Sequence, residues 1–427
     1  MRRDIVSKPL FLFGLAVWVS IMVLTGTYLR VRDVEEAAQV DWLVVARLGA
    51  CLLGAGVGVV LLRRGERGGP GYLAVLAYTV AAACSALFAP DPKLVLGYWV
   101  LLVGGLLLTL GLIACADDQR LLQVERAWLV VMVALLIKDA LIGVLAPQLQ
   151  EAYGVEGPVR LGMGVTHANA LGFGASLAFW LTFVPTRWAR RWTMWLVRLL
   201  LVAIVVLSWS RNAMTSIVVG GLLRAWLLQG HRPVEGFHVR WTLLGGIATV
   251  VVLVALLLTM NVKPVVDAAL AFNRTASLES VTRLSGRAEI WPLAVRKITS
   301  DPLRMIFGHG FGTSRLVLND EQEALEFYAA NAHNTLLEVA LTTGLVGVLA
   351  FAGIVVLSAR WLINYRAMNA WAPQDMALRA ATVFAIIMIH SLTESILGTR
   401  LGPVTLLWVF YLAVADRQRD RGRLQRG

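Results

Sequence analysis

Residues 94–116 read LVLGYWVLLVGGLLLTLGLIACA without one charged side chain, and runs of this kind recur along the whole chain. A helix of about 20 apolar residues, rising about 1.5 Å per residue, is long enough to cross roughly 30 Å of hydrocarbon. Hydrocarbon offers backbone N–H and C=O groups no water, so a spanning segment must be a helix or part of a closed barrel. The runs are continuous rather than alternating, which selects helices. Of the 427 residues, 58% are hydrophobic and 15% charged, where a soluble domain carries about 25% charged residues. The expected fold class is an all-α polytopic membrane protein.

Twelve spans are expected, near 9–29, 41–62, 72–89, 94–116, 127–146, 164–184, 192–208, 212–229, 241–260, 335–358, 376–397 and 401–415. The organisation that follows is nine spans over 1–260, one long polar insertion over 261–334, three spans over 335–416 and a basic tail over 417–427. No internal repeat, low-complexity tract or separate soluble domain interrupts it. The start, MRRDIVSKPLFLFGLAVWVSIMVL, has a basic flank, but its apolar stretch is too long for a signal peptide and no A-x-A site follows, so an uncleaved first span is expected. Cys51, Cys84 and Cys115 lie inside apolar runs with no metal-ligand spacing, and read as small core residues.

The net charge of +12 sits in short loops, the pattern of a topogenic signal rather than of a nucleic-acid surface. With the N-terminus in the cytoplasm, the inside segments collect Arg2, Arg3, Lys8, Arg63, Arg64, Arg67, Arg120, Arg126, Arg187, Arg190, Arg191, Arg232, Arg240, Arg360, Arg366 and Arg379, and the tail adds Arg417, Arg419, Arg421, Arg423 and Arg426. The short outside loops hold only Arg30, Arg32, Lys93, Arg160, Arg211 and Arg400. Both termini are therefore expected in the cytoplasm. Trp42, Trp128, Trp192, Trp209, Trp226 and Trp241 fall near predicted span ends, where interfacial aromatics belong.

This topology gathers the unusual polar residues at one face. Thr166-His167-Ala168-Asn169 enters the sixth span, and Ser208-Trp209-Ser210-Arg211-Asn212 is the tight turn between the seventh and eighth. Ser285-Gly286-Arg287, Gly308-His309-Gly310-Phe311-Gly312 and Ala332-His333-Asn334 belong to the insertion, and Ser391-Leu392-Thr393-Glu394-Ser395 ends the eleventh span. Arg211 in so short a turn has two uses: snorkelling to lipid headgroups, or gripping an anion through paired hydrogen bonds. Ser285 is an expected helix N-cap, which would set Arg287 at a helix start suited to phosphate; the plainer reading is an exposed loop arginine. The glycines around His309 permit positive φ, and a turn with a packing histidine accounts for them equally well. His333 brings an imidazole that can accept a proton, while Asn334 can cap the tenth span, bond a sugar hydroxyl, or both. His390 and Glu394 are expected to share a helix face, with Glu394 steadying the histidine or an arginine. Lys138, Asp139 and Arg198 read as buried pairs or snorkelling charges. Asp33-Val34-Glu35 is a weak match to the acidic pair through which many polyprenyl-linked glycosyltransferases bind a divalent metal, and a solvated face explains it as well.

Taken together, THAN (166–169), SWSRN (208–212), SGRAEIW (285–291), GHGFG (308–312), AHNTLLEVALTTG (332–344) and SLTES (391–395) resemble the O-antigen ligase superfamily of bacterial inner-membrane proteins. The resemblance runs from about residue 160 to 400. It implies a GT-C-like helical fold with a periplasmic site. It also implies transfer of an O-antigen glycan from undecaprenyl pyrophosphate to a sugar hydroxyl of lipid A–core, with no cofactor and no metal. By position, Arg211 and Arg287 match the arginines thought to hold the pyrophosphate, and His333 matches the proposed catalytic base. Asn334, His309, Gly310, Ser210, His167 and Glu394 are expected to support them. Partners are the lipid-linked donor, the lipid A–core acceptor and membrane lipids, not nucleic acid. An O-antigen polymerase or protein O-oligosaccharyltransferase shares the fold and chemistry. A polyprenyl-linked lipid transporter would instead place paired charges or broken helices near mid-membrane.

Overall fold

A computed structural model of the chain describes residues 7–26, 41–65, 68–145, 168–183, 191–208, 210–228, 287–320, 331–364, 376–397 and 401–424. All regular structure among them is helical. We number the helices α1 (Lys8–Gly26), α2 (Trp42–Arg64), α3 (Pro70–Cys84), α4 (Pro92–Ala114), α5 (Asp118–Leu145), α6 (Ala168–Leu181), α7 (Arg191–Leu207) and α8 (Arg211–Leu228). After these come α9 (Arg287–Thr299), α10 (Pro302–Phe307), α11 (Ser314–Asn319), α12 (Thr335–Ile363), α13 (Met376–Ser391) and α14 (Pro403–Leu424). Among the described residues six helices are long and apolar enough to cross a membrane: α1, α2, Pro70–Phe88, α4, α5 and α12. Three shorter apolar helices, Ala168–Leu181, Trp192–Leu207 and Met376–Ser391, join them. The chain is a polytopic helical membrane protein. The expected ninth span, 241–260, lies outside the described residues, as do 261–286 and 321–330 of the insertion.

Local chemistry sets the helix starts. Asp41 caps α2 by accepting from Val44 N at 2.9 Å, and Asp91 caps α4 by accepting from Lys93 N and Leu94 N at 3.1 Å. Pro70 and Pro92 sit in first turns, where a missing N–H costs nothing. Without a hydrophobic force between helices in lipid, packing relies on close approach of small residues. A Cβ on Gly104 would lie 2.1 Å from the Cys51 carbonyl oxygen, and one on Gly58 would lie 2.5 Å from the Leu107 carbonyl carbon, so α2 and α4 run backbone against backbone. Trp18 Nε1 donates to Thr109 Oγ1 at 2.8 Å, tying α1 to α4.

Three boundaries differ from expectation. The fifth span begins at Asp118, not near 127, which puts Trp128 deep in the bundle. It is fully buried and donates to Pro403 O at 2.7 Å, so it is not an interfacial tryptophan. Trp42, Trp192 and Trp226 are exposed on the outer surface. The eleventh span ends as a helix at Ser391 rather than near 397. The last helix continues to Leu424, through most of the basic segment.

The tenth span is the largest departure. A straight helix over Thr335–Ile363 would measure about 43 Å, against roughly 30 Å of hydrocarbon. The helix breaks at Gly344, whose φ of 64° and ψ of −165° are non-helical. The break is a sharp bend. Ile396 N bonds Thr335 Oγ1 at 3.0 Å, while its neighbour Leu397 lines a small apolar cavity together with Ile354. A straight helix would separate Thr335 from Ile354 by about 28 Å, whereas consecutive Cα atoms lie only about 3.8 Å apart.

A bend frees carbonyls that the helix no longer satisfies. Here the glycine-rich loop takes them: His309 N donates to Leu341 O and Gly310 N to Thr342 O, both at 2.9 Å. Gly308, Gly310 and Gly312 have φ of 81°, 113° and 79°. A Cβ on Gly308 would lie 2.3 Å from Thr342 O, and one on Gly344 would lie 2.3 Å from Ile306 O. Glycine is required on both sides of this contact.

Candidate functional site

The polar end of the bundle is built where α12 starts, α13 ends and α6 and α8 begin. Asn334 caps α12, accepting from Leu337 N at 3.1 Å and donating from Nδ2 to Leu392 O at 3.0 Å. His333, one residue outside the cap, has φ of 48°. That left-handed conformation costs a non-glycine residue about 1–3 kcal/mol and persists only where its surroundings impose it. Asn331 imposes it from one side, its Oδ1 accepting from His333 N at 2.8 Å and Ser395 Oγ at 3.2 Å. Glu338 does so from below. It is fully buried, and Oε2 accepts from Ala332 N at 2.8 Å and Ser395 Oγ at 3.5 Å.

The imidazole so placed meets Glu394. His333 Nδ1 lies 3.1 Å from Glu394 Oε2, with the two side chains 23% and 14% exposed. The other carboxylate oxygen accepts from Asn169 Nδ2 at 2.7 Å, at the start of α6. The Glu394 carbonyl accepts from Thr335 Oγ1 at 2.7 Å. Glu394 is therefore held at both ends of the residue. It does not share a helix face with His390, because α13 ends at Ser391. His390 instead lies buried against Phe173, with ring centroids 3.6 Å apart and planes 1° from parallel.

Arg211 approaches the same segment through its neighbour. Ser210 Oγ accepts from Ala213 N at 3.3 Å, capping α8, and Arg211 is the first helical residue, its side chain exposed. Asn212, next in the chain, donates from Nδ2 to Thr393 Oγ1 at 2.7 Å, immediately before Glu394. α6 comes close enough to hold this turn because Gly172 has no side chain; a Cβ there would lie 2.4 Å from Ser208 Oγ.

Arg287 is the first residue of α9, and its side chain lies outside the described residues, as do Ser285, His167, Asp33 and Glu35. One turn further along α9, Trp291 Nε1 donates to Ala332 O at 3.1 Å, the carbonyl of the peptide leading into His333. The start of α9 thus stands beside the His333 loop.

His309 and Gly310 belong to the bend in α12 rather than to this cluster. His309 is buried, with Nε2 3.0 Å from Lys297 O. Burial pushes its pKa below the usual 6.5, against the bond to the Lys297 carbonyl, which raises it. A neutral ring donates from Nε2 to that carbonyl. Lys138 and Asp139 form an ion pair at 2.7 Å within α5.

Sequence reasoning set no role for Asn331, Glu338, Thr393 or Ser395. Their signal was present in the same motifs: Glu338 is a lone acid one turn inside an apolar run, and Thr393 and Ser395 flank Glu394. What the sequence did not reveal is that hydroxyl, amide and carboxylate groups from 331–338 and 393–395 interlock.

A comparison with curated proteins finds no match. Residues 196–352, which is less than half of the chain, match the family model described as O-antigen ligase. That segment holds Arg211, Arg287, the glycine loop and His333, and stops short of Glu394. Over residues 196–352 the chain is similar to the O-antigen ligase family.

Proposed function

We propose that the protein is an O-antigen ligase, an inverting glycosyltransferase working at the periplasmic face of the inner membrane. Its donor is an O-antigen glycan on undecaprenyl pyrophosphate, and its acceptor is a sugar hydroxyl of lipid A–core. The observation that carries this reading is the bonded path Asn212–Thr393–Glu394–His333, which links the start of Arg211's helix to the imidazole.

In this reading His333 is the base. A hydrogen on Nδ1, given to Glu394, leaves the acceptor lone pair on Nε2. The acceptor oxygen attacks the anomeric carbon from the side opposite the leaving group. Its bond to carbon forms as the bond from carbon to pyrophosphate breaks, and its proton passes to Nε2. The leaving pyrophosphate needs its growing negative charge cancelled rather than a strong acid, and Arg211 and Arg287 do this with planar forks suited to phosphate. A positioned base contributes about 10²–10⁴-fold. Asn334 has spent its Oδ1 on the cap, so capping is its main work.

The test is transfer of radiolabelled glycan from a polyprenyl pyrophosphate donor to lipid A–core, with complementation of a ligase-deficient strain. Restored full-length lipopolysaccharide supports the ligase reading. Lipopolysaccharide carrying a single repeat unit in the mutant, restored to long chains, assigns the protein to the polymerases instead. Arg287→Ala retaining full transfer removes that residue from the site.

A further inference from the structure

Two loops bring the imidazole and its carboxylate partner together, and one buried side chain bonds to both loops. Ala332, fully buried, precedes His333, and Ser395 follows Glu394. Glu338 Oε2 accepts from the backbone N of the first at 2.8 Å and from the hydroxyl of the second at 3.5 Å. The same hydroxyl reaches Asn331 Oδ1 at 3.2 Å, and that oxygen also accepts from His333 N at 2.8 Å. One carboxylate oxygen thus stands between the residue before the imidazole and the residue after its partner.

Helix capping does not account for this. In a capping box, an acid at the third helical position bonds the N–H of the cap itself. Here the cap is Asn334, the third helical position is Leu337 and Glu338 is the fourth. Its side chain passes the cap and His333 and ends on the amide two residues before the cap. The segment 392–396 is already tied to α12 by other groups: Asn334 Nδ2 donates to Leu392 O, and Thr335 Oγ1 bonds Glu394 O and Ile396 N. The peptide leading into His333 relies on Glu338 at its N–H and on Trp291 Nε1 at its carbonyl. An apolar side chain would suit this stretch better, since Leu337 and Val339 flank the acid and a buried carboxylate is costly. An ionisable group kept inside a span points to a task beyond packing.

We propose that Glu338 is a positioning residue for the transfer reaction: by accepting from Ala332 N and Ser395 Oγ together, it sets the separation of His333 and Glu394. The inference rests on the transferase reading, in which that pair supplies the base. A misplacement of about 1 Å in such a pair costs about 100-fold in rate.

The test compares Glu338→Met, which keeps the volume and removes the acceptor, with Glu338→Gln, whose amide oxygen still accepts from Ala332 N. Glu338→Met should lower kcat by about 10- to 100-fold with KM for the donor unchanged, and Glu338→Gln should recover most of that loss. In a Glu394→Gln background, Glu338→Met should cost much less than it does alone, because groups that act as a unit are not additive. Losses that simply multiply would overturn the proposal. Amide hydrogen exchange at 331–336 reads the geometry without any activity: slow in wild type, faster by about 10-fold or more in Glu338→Met, slow again in Glu338→Gln. If the 308–312 peptide speeds up equally, the variant has loosened as a whole and Glu338 is only structural. Fast exchange at 331–336 in wild type overturns the proposal with no variant needed. Ser395→Ala cuts the longer bond and should lower kcat by about 5-fold; an unchanged kcat there overturns the proposal even if Glu338→Met does not fold. Should wild type transfer no glycan, the transferase reading falls, while the exchange contrast still decides whether Glu338 holds the pair.

Discussion

Two carboxylate clusters bracket α13, and they are built for opposite ends. Near its start, Arg379 grips Glu125 of α5 with both arms, Nε to Oε1 at 2.6 Å and Nη2 to Oε2 at 2.7 Å, and Tyr411 of α14 donates to the same carboxylate. Both charged side chains are 1% exposed. Just beyond its end, Glu394 meets His333 and Asn169, and the Glu394 and His333 side chains are 14% and 23% exposed. The first cluster is closed: charge and donors meet within three helices, at side chains almost wholly removed from solvent. The second is open and held by loops, with a strained residue at its centre. A buried pair whose carboxylate oxygens both accept charge-assisted bonds clamps a bundle; a partly exposed pair on a strained backbone is placed to exchange a proton with a substrate.

The comparison is easiest to break at its open end. His333→Ala should lower transfer by about 10²–10⁴-fold with the unfolding temperature unchanged; a matching loss of folded protein would make the open cluster structural too. At the closed end, Arg379→Ala should destabilise the chain by about 3–5 kcal/mol, because it strands a buried carboxylate. Glu125→Met combined with Arg379→Met should recover most of that in detergent unfolding, since apolar replacements of both partners are tolerated. If the double variant is as damaged as the single, the cluster does more than clamp.

Smaller effects sharpen the same contrast. Arg211→Lys keeps the charge but loses the fork, and transfer should fall about 10-fold or more with insertion intact. Glu394→Gln should reduce kcat by about 10-fold and leave KM for the donor unchanged, the split expected of a group that orients a base without touching substrate. The smallest effect concerns His309. Its folded pKa lies below 6.5, so the unfolded chain binds the proton more readily. Stability should therefore fall as pH drops through 6.5, and His309→Gln should flatten that slope in unfolding curves at pH 5 to 8.

Much of the fold could be read directly. Long apolar runs with low charge gave α1, α2 and α4 nearly as drawn, because in lipid the length of a run and its backbone requirement leave one solution. Boundaries failed where tertiary contacts decide. α5 starts nine residues early because Glu125, an acid that reads as loop, is neutralised by Arg379 from far along the chain. The bend in α12 escaped because Gly344 looks like any glycine in a span until its partner loop at 308–312 is known. At the site, the motifs supplied His333 and Glu394, and THAN contained Asn169 although His167 was the residue expected to help; the pairing of Glu394 with His333 rather than His390 depends on where α13 stops, which no periodicity marks.

The glycine at 344 also sets a register. Nine residues of helix stand between it and the cap, and their length fixes both the height and the compass bearing of the imidazole. Inserting one residue there would turn the cap by about 100° and swing His333 off Glu394 without altering any group that touches substrate. Depth in the bilayer, for this histidine, is measured from a fold in the backbone rather than from the ends of the span.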